Sequence, residues 1–191
     1  MRKITVFTNL TLDGVMQAPA APDEDPRGGF EHGGWAAPYA AMQEAGDALA
    51  FDGALLFGRR TYEQFASFWP NQRDNPMAEM LTLAPKYVAS TTLQEPLPWA
   101  NSTLLSGDAA EAVAQLKEEP GPNFLIMGSG ELVQSLMRRN LVDEYVLLFH
   151  PLVLGSGHRL FPDGGAFAEL KLVDSKPTSK GCIVATYHPA S

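Results

Sequence analysis

Three short segments of this sequence combine residue types suited to holding an anion. The first is Phe57-Gly58-Arg59-Arg60-Thr61-Tyr62, which follows the apolar run Ala54-Leu55-Leu56-Phe57. Gly58 has no Cβ, so a ligand can approach the backbone closely. Thr61-x-x-Gln64 has the form of a capping box and places a helix start at Thr61. A helix start offers free amide donors and the positive end of the dipole. Arg59 and Arg60 add two permanent cations able to fork onto phosphate. Taken alone, Thr61 reads as no more than a cap; the cluster as a whole reads as a phosphate site.

The second segment, Gly128-Ser129-Gly130-Glu131-Leu132, also follows an apolar strand and opens a helix. Its small residues suit a pyrophosphate against a helix N-terminus, or equally a tight turn with no ligand. Val133 stands where a dinucleotide fingerprint needs its third glycine. The third segment, Ser90-Thr91, ends the strand Lys86–Ala89; its hydroxyls suit a phosphate or a local side-chain turn. In a parallel sheet three such strand ends can face one crevice, where α/β proteins bind nucleotides.

The elements that position these segments read as follows. Ile4–Leu10 is a first strand, and Asp13-Gly14 a turn. Residues 17–34 form a loop with four Gly and three Pro, whose length suits a lid or a disordered segment. Trp35–Ala50 reads as a helix with Met42, Ala45 and Leu49 on one stripe. Ala54–Phe57 and Phe124–Met127 are wholly apolar strands, as expected where both faces are covered. Helices are expected over Thr61–Phe68, Pro76–Leu83 and Ser129–Arg139, and one opened by Asp108-x-x-Glu111 with Val113 and Leu116 inward. Lys86–Ala89, Ser102–Leu105 and Tyr145–Phe149 read as strands, and Leu170–Val173 with Cys182–Tyr187 as a closing antiparallel pair. Helices and strands alternate first and strands dominate the end, so the class is α/β with a mixed, mostly parallel sheet. With 191 residues and no repeat or linker, one domain spanning 1–191 is the economical reading.

Bulk composition narrows the partners. Lys and Arg total 14 against 22 Asp and Glu, a net charge of −8. Such a surface repels nucleic acid and anionic lipid while leaving room for a local basic pocket. No apolar stretch approaches the ~20 residues that span a bilayer. The partner expected is a small molecule. The single Cys182 allows no internal disulfide and no thiolate zinc cluster, which fits a reducing cytoplasm; it reads as a small buried hydrophobe. His32, His150, His158 and His188 show no metal spacing, so no metal is expected. Asp23, Glu24, Asp25 and Glu31 in the long loop read as solvated.

In their order these motifs resemble the dihydrofolate reductase superfamily, and within it the RibD C-terminal-domain-like branch. Gly58-Arg59-Arg60-Thr61-Tyr62 is similar to the family's G-R-x-T-[WY] element, Ser90-Thr91 to its post-strand hydroxyls, and Gly128-Ser129-Gly130 to its pyrophosphate turn. Leu10-Thr11-Leu12-Asp13-Gly14 resembles the branch's S-L-D-G start. Pro151 to Gly157, followed by Leu160-Phe161, resembles its P-x-x-x-G-x-G…L-F segment. The resemblance implies a three-layer fold with a mostly parallel central sheet, helices on both faces, a C-terminal antiparallel pair and NADPH as cofactor.

By matched position, Phe57, Gly58, Arg59, Arg60 and Thr61 would hold phosphates, and Ser90 and Thr91 would lie near the adenosine 2′-phosphate. Gly128, Ser129, Gly130, Glu131 and Leu132 would meet the pyrophosphate. Leu12, Asp13 and Gly14 would border the nicotinamide. Asp13 then becomes the candidate general acid, or simply a turn residue. Trp35 could stack on a planar substrate or belong to the core, and Gly155 is a substrate-side candidate. The implied activity is reduction of a pterin- or pyrimidine-like heterocycle, as in the riboflavin-pathway 5-amino-6-(5-phosphoribosylamino)uracil reductase domain. A homodimer through the late strands is implied too. The alternative is a non-catalytic nucleotide-binding or interaction domain of the same fold. Two departures matter. The acid of true dihydrofolate reductases falls near Met42, with only Gln43, Glu44 and Asp47 as neighbours, so folate reduction is not expected. The H-x-E and P-C-x-x-C zinc signature of the deaminase domain that precedes this one in bifunctional relatives is absent from the sequence.

Overall fold

Side-chain burial explains why the chain runs where it does. In the computed structural model, which describes residues 1–45 and 53–190, Ala54–Phe57 and Phe124–Met127 are buried at every side chain. Strand β1 (Ile4–Thr11) is nearly so. Among the described residues the chain continues as α1 (Ala41–Ala45), β2 (Ala54–Gly58), α2 (Arg59–Phe68), α3 (Pro76–Leu83), β3 (Lys86–Ala89), β4 (Ser102–Leu105), α4 (Ala109–Glu118), β5 (Phe124–Met127), α5 (Gly130–Met137), β6 (Glu144–His150), β7 (Leu170–Pro177) and β8 (Ile183–Pro189). The strands form a mixed sheet in the order β4-β3-β2-β5-β1-β6-β8-β7. The expected fold class, mostly parallel with a C-terminal antiparallel pair, is the one found.

Two compact units share the chain: Met1–Thr5 with Phe51–Leu141, and Val6–Ala50 with Val142–Ser191. In the first, β2 pairs in parallel with both β3 and β5, and β3 with β4. Helix α2 is fixed to the sheet by a buried aromatic group. Tyr62 and Phe57 pack with Trp99, and the Trp99 amide donates to the Tyr62 hydroxyl at 3.1 Å. Lys86 is buried with its ammonium donating to the Thr82 and Ala84 carbonyls at the end of α3, 4.5 Å from the Trp99 ring centre. Asp108 caps α4 through the Glu111 amide as expected; Val113 is buried, while Leu116 is only partly so.

In the second unit β8 lies antiparallel between β6 and β7, with a register shift between Leu172 and Asp174. Val15, Ala18, Phe30 and Trp35 form a core under Leu152 and Leu154. The 17–34 segment is ordered around this core. The Gln17 amide group donates to the Asp25 and Arg27 carbonyls, and Asp25 pairs with Arg27 at 2.6 Å. Glu24 accepts from the Ala20 and Ala21 amides, so Glu24 and Asp25 are structural acids of the loop and not solvated ones. Gly157 is required where it stands. Its φ is +117°, and a Cβ would come within 2.8 Å of Val15 and Phe30.

The helix expected from Trp35 is shorter than its hydrophobic spacing suggests. Residues 37–39 make a 3-10 turn, Ala40 takes φ +49°, and α1 begins only at Ala41. The break is at Ala40, whose left-handed backbone separates the 3-10 turn from α1. Asp47, Leu49 and the rest of the expected helix beyond Ala45 lie outside the described residues.

Candidate functional site

Helix α2 starts two residues earlier than the capping-box pattern places it. Its N-cap is Gly58, with φ −80° and ψ 161°, and no side chain caps it. Thr61 is therefore inside the first turn, so its role as cap is corrected. Arg59 and Arg60 occupy the first two helical positions and no acid shares that turn. Cations there oppose the helix dipole. The nearest compensation is an exposed pair from each: Arg59 with Glu63 at 3.1 Å and Arg60 with Glu131 at 2.9 Å. Such pairs contribute little and exchange partners readily.

The neighbouring turn is knit to this one. Leu55 pairs with Leu125, and the same register carried three residues on brings Gly58 level with Gly128. The Gly58 amide donates to the Ser129 hydroxyl at 3.0 Å. Gly128 has φ +74° and faces the Thr61 side chain. Ser129, the N-cap of α5, is held at φ 57°, a left-handed conformation that serine adopts only at some cost. Gly58 pairs with Ala89, so Ser90 stands one residue beyond the adjacent strand end. The Ser90 hydroxyl accepts from the Thr92 and Leu93 amides, closing a local turn, and Thr91 is exposed. One edge of the first unit thus gathers two helix N-termini, two arginines and a hydroxyl turn. The Glu131 carboxylate is exposed on Arg60, so only its amide suits an anion. Phe57 and Leu132 are buried behind the turns.

The second unit carries the Leu12–Gly14 turn. The Asp13 carboxylate accepts from the Thr11 hydroxyl at 2.6 Å, the Gly155 amide at 2.8 Å and the Leu154 amide at 3.2 Å. Burial alone would raise this carboxyl, but these hydrogen bonds outweigh it and hold the group below its ordinary value. Asp13 is thus an anchored carboxylate that fixes the 154–155 turn. Gly155 is exposed at φ +76°. Leu12 is 64% exposed, an apolar side chain presented at the turn. Trp35 is buried, with its indole N–H on the Gln17 carbonyl at 2.7 Å and its ring edge-on to His150. It is part of the core, so its expected stacking on substrate is corrected. Glu44 binds the Ser179 amide and hydroxyl. Met42 is exposed and carries no charge.

A model of the RibD C-terminal domain matches residues 2–184. The chain belongs to the RibD C-terminal domain family. The uncharacterized protein YyaP of Bacillus subtilis is 28% identical over 98% of this chain and 95% of its own length. YwjB of the same organism is 36% identical over 39% of this chain and 42% of its own. Among solved structures, a candidate riboflavin biosynthesis protein from Shewanella sp. PV-4 superposes with a TM-score of 0.67 at 24% identity, covering 99% of each chain. Dihydrofolate reductase from Enterococcus faecalis, complexed with NADP(H) and RAB-propyl, gives 0.61 at 13% over 99% of this chain and 97% of that one. A pyrimidine reductase-like protein from Corynebacterium diphtheriae gives 0.64 at 11% over 100% and 92%. The fold is that of dihydrofolate reductase, and the family supports a reductase.

Among the described residues, no group of His, Cys, Asp and Glu is arranged to hold a metal ion, and no helix is long and apolar enough to cross a membrane. Asn9, the carboxamide side chain among the threonines of β1, has no signal in the sequence that singles it out.

Proposed function

We propose that this protein is an NADPH-dependent reductase of a small pterin- or pyrimidine-like heterocycle, resembling the riboflavin-pathway reductase domain. The observation that carries the proposal is the pair of knit turns, Gly58–Thr61 and Gly128–Glu131. Two helix N-termini lie side by side there, with Arg59 and Arg60 placed against the dipole of α2. An anionic ligand removes that conflict. The donor set fits a pyrophosphate: backbone amides at both turns, two guanidinium groups and no acid in the first turn of α2. Arg59, Arg60 and the amides of Thr61, Gly130 and Glu131 would hold the phosphates. Ser90 and Thr91 would lie near a 2′-phosphate. Leu12 and Gly14 would border the nicotinamide, and Gly155 the substrate. NADPH when bound supplies a hydride to the substrate.

We read residues 1–191 as one domain, because the family match runs through both units. The reduced, buried Cys182 fits the cytoplasm. A small molecule is the expected partner.

Titration with NADPH, followed by Trp fluorescence, tests the proposal. Binding in the micromolar range is expected, weakened about tenfold or more in Arg59→Ala. No binding at millimolar cofactor sinks it. The anchored state of Asp13 favours one second reading, a nucleotide-binding protein without turnover. It predicts NADPH binding with no oxidation across a panel of heterocycles.

A further inference from the structure

Asn9 is a half-buried polar side chain of a strand whose side chains are mostly sealed in the core. Its carboxamide oxygen lies 2.9 Å from His150 Nε2. His150 Nδ1 lies 3.3 Å from the Cys182 sulfur. His150 and Cys182 are both 0% exposed. Trp35 and Tyr39 stand edge-on to the imidazole at 5.1 and 5.3 Å. All of these residues belong to the second unit.

The direction of this chain follows from its donors. Burial lowers His150 to about 4 and raises the Cys182 thiol, so the ring is neutral and the sulfur keeps its proton. A neutral imidazole has one N–H and one acceptor nitrogen. The thiol donates to Nδ1, so the ring proton sits on Nε2 and donates to Asn9 Oδ1. That leaves the Asn9 Nδ2 amino group pointing away from the chain. Nδ2 has no protein partner among the described residues, and it is not among the buried polar atoms left without one. It is an unused donor on a half-buried side chain, with the hydrogen-bonded relay behind it.

We propose that Asn9 reads the substrate: its Nδ2 group donates to a ring carbonyl oxygen of the bound heterocycle, and His150 and Cys182 fix which way the amide faces. The identity of the ligand as a heterocycle rests on the reductase reading. A donor-only contact discriminates by leaving polar groups unsatisfied. A ring presenting an amino group at that place meets two donors face to face. His150 and Cys182 are positioning residues and touch no ligand.

The probes are 5,6-diaminouracil, which carries ring carbonyls, and 2,4,5,6-tetraaminopyrimidine, which carries amino groups in their place. Calorimetric titration compares them on the wild-type protein, with and without saturating NADPH. Wild type is expected to bind the diaminouracil at least about tenfold more tightly. Asn9→Leu removes the preference, and Asn9→Asp, now an acceptor, reverses it. His150→Phe frees the amide to flip and narrows the ratio without reversing it. Thermal midpoints and near-UV circular dichroism check that each variant is folded. Equal wild-type affinities overturn the proposal, as does a ratio unchanged in folded Asn9→Leu and Asn9→Asp. The wild-type ratio needs no variant to fold. Discrimination without NADPH binding supports the role of Asn9 and sinks the reductase reading; NADPH binding without discrimination does the reverse.

Discussion

The hydroxyl of Ser129 accepts the amide hydrogen of Gly58 at 3.0 Å, although Ser129 itself sits at φ 57° and ψ 52°. One strained residue thereby holds two strand-to-helix turns in register. Ser129→Ala keeps the left-handed conformation and loses the acceptor, so stability should fall by about 1–2 kcal/mol. Ser129→Gly also loses the hydroxyl but recovers about 1 kcal/mol of backbone strain. Urea unfolding should therefore rank wild type, Gly and Ala in that order. An Ala variant as stable as wild type would show that the contact holds nothing.

Glu131 competes with any phosphate for Arg60. The pair is exposed on both sides, 48% and 82% for the two side chains, so its contribution to folding is small. Glu131→Gln should leave the unfolding midpoint within about 0.5 kcal/mol of wild type. It should also tighten NADPH binding several-fold at low salt, and the gain should shrink as salt is added. Unchanged affinity at low salt would place the phosphates away from Arg60.

The Asp13 carboxylate accepts three hydrogen bonds and donates none. Asp13→Asn puts an NH2 group among donors, and should cost about 1–3 kcal/mol in chemical denaturation. The loss should be largest at neutral pH. The folded pKa is depressed, so the stabilisation is present above the ordinary carboxylate value and disappears as pH falls through the lower, folded one. If the substitution were neutral for stability yet abolished turnover, the proton-donor role would return.

His150 acts in the same direction at a higher pH. Its folded pKa is about 4, below the ordinary 6.5, so the unfolded chain takes up a proton that the folded chain refuses. Stability should be full above about pH 6.5 and fall as pH drops toward 4. The loss is on the order of 3 kcal/mol from this residue. His150→Gln should flatten the stability profile in that window and leave the carboxylate region below it in place. Differential scanning calorimetry from pH 4 to 7.5 would decide; an unaltered slope would mean that another group controls it.

Leu172 and Val173 on β7 and Ile183 on β8 remain 50%, 53% and 47% exposed at the end of the strand order. Exposed apolar side chains on late strands suit a second copy of the chain. Sedimentation should give a dimer at micromolar concentration, and Val173→Glu should return the monomer mass. A monomeric wild type would remove the idea.

Much of the fold was legible because its signals are local. The wholly apolar runs at Ala54 and Phe124 mark strands covered on both faces. Asp108 caps its helix by a bond from the Glu111 amide, as its capping box predicts. The start of α2 was not legible, because Thr61 and Gln64 satisfy a capping pattern that the turn at Gly58 overrides. The helix after Trp35 failed for a similar reason, since residue spacing carries no record of the left-handed turn at Ala40.

The sequence by itself determined the family, the order of the elements and the anion-suited turns, because glycines, arginines and caps act within a few residues of one another. Tertiary structure decided the roles. It showed that Asp13 is an anchored acceptor, because Gly155 and Leu154, some 140 residues away, aim their amides at it. It put Trp35 in the core and joined Asn9 to His150 and Cys182. Burial and long-range hydrogen bonds set the protonation and direction of a side chain, and neither can be read from its neighbours in the chain.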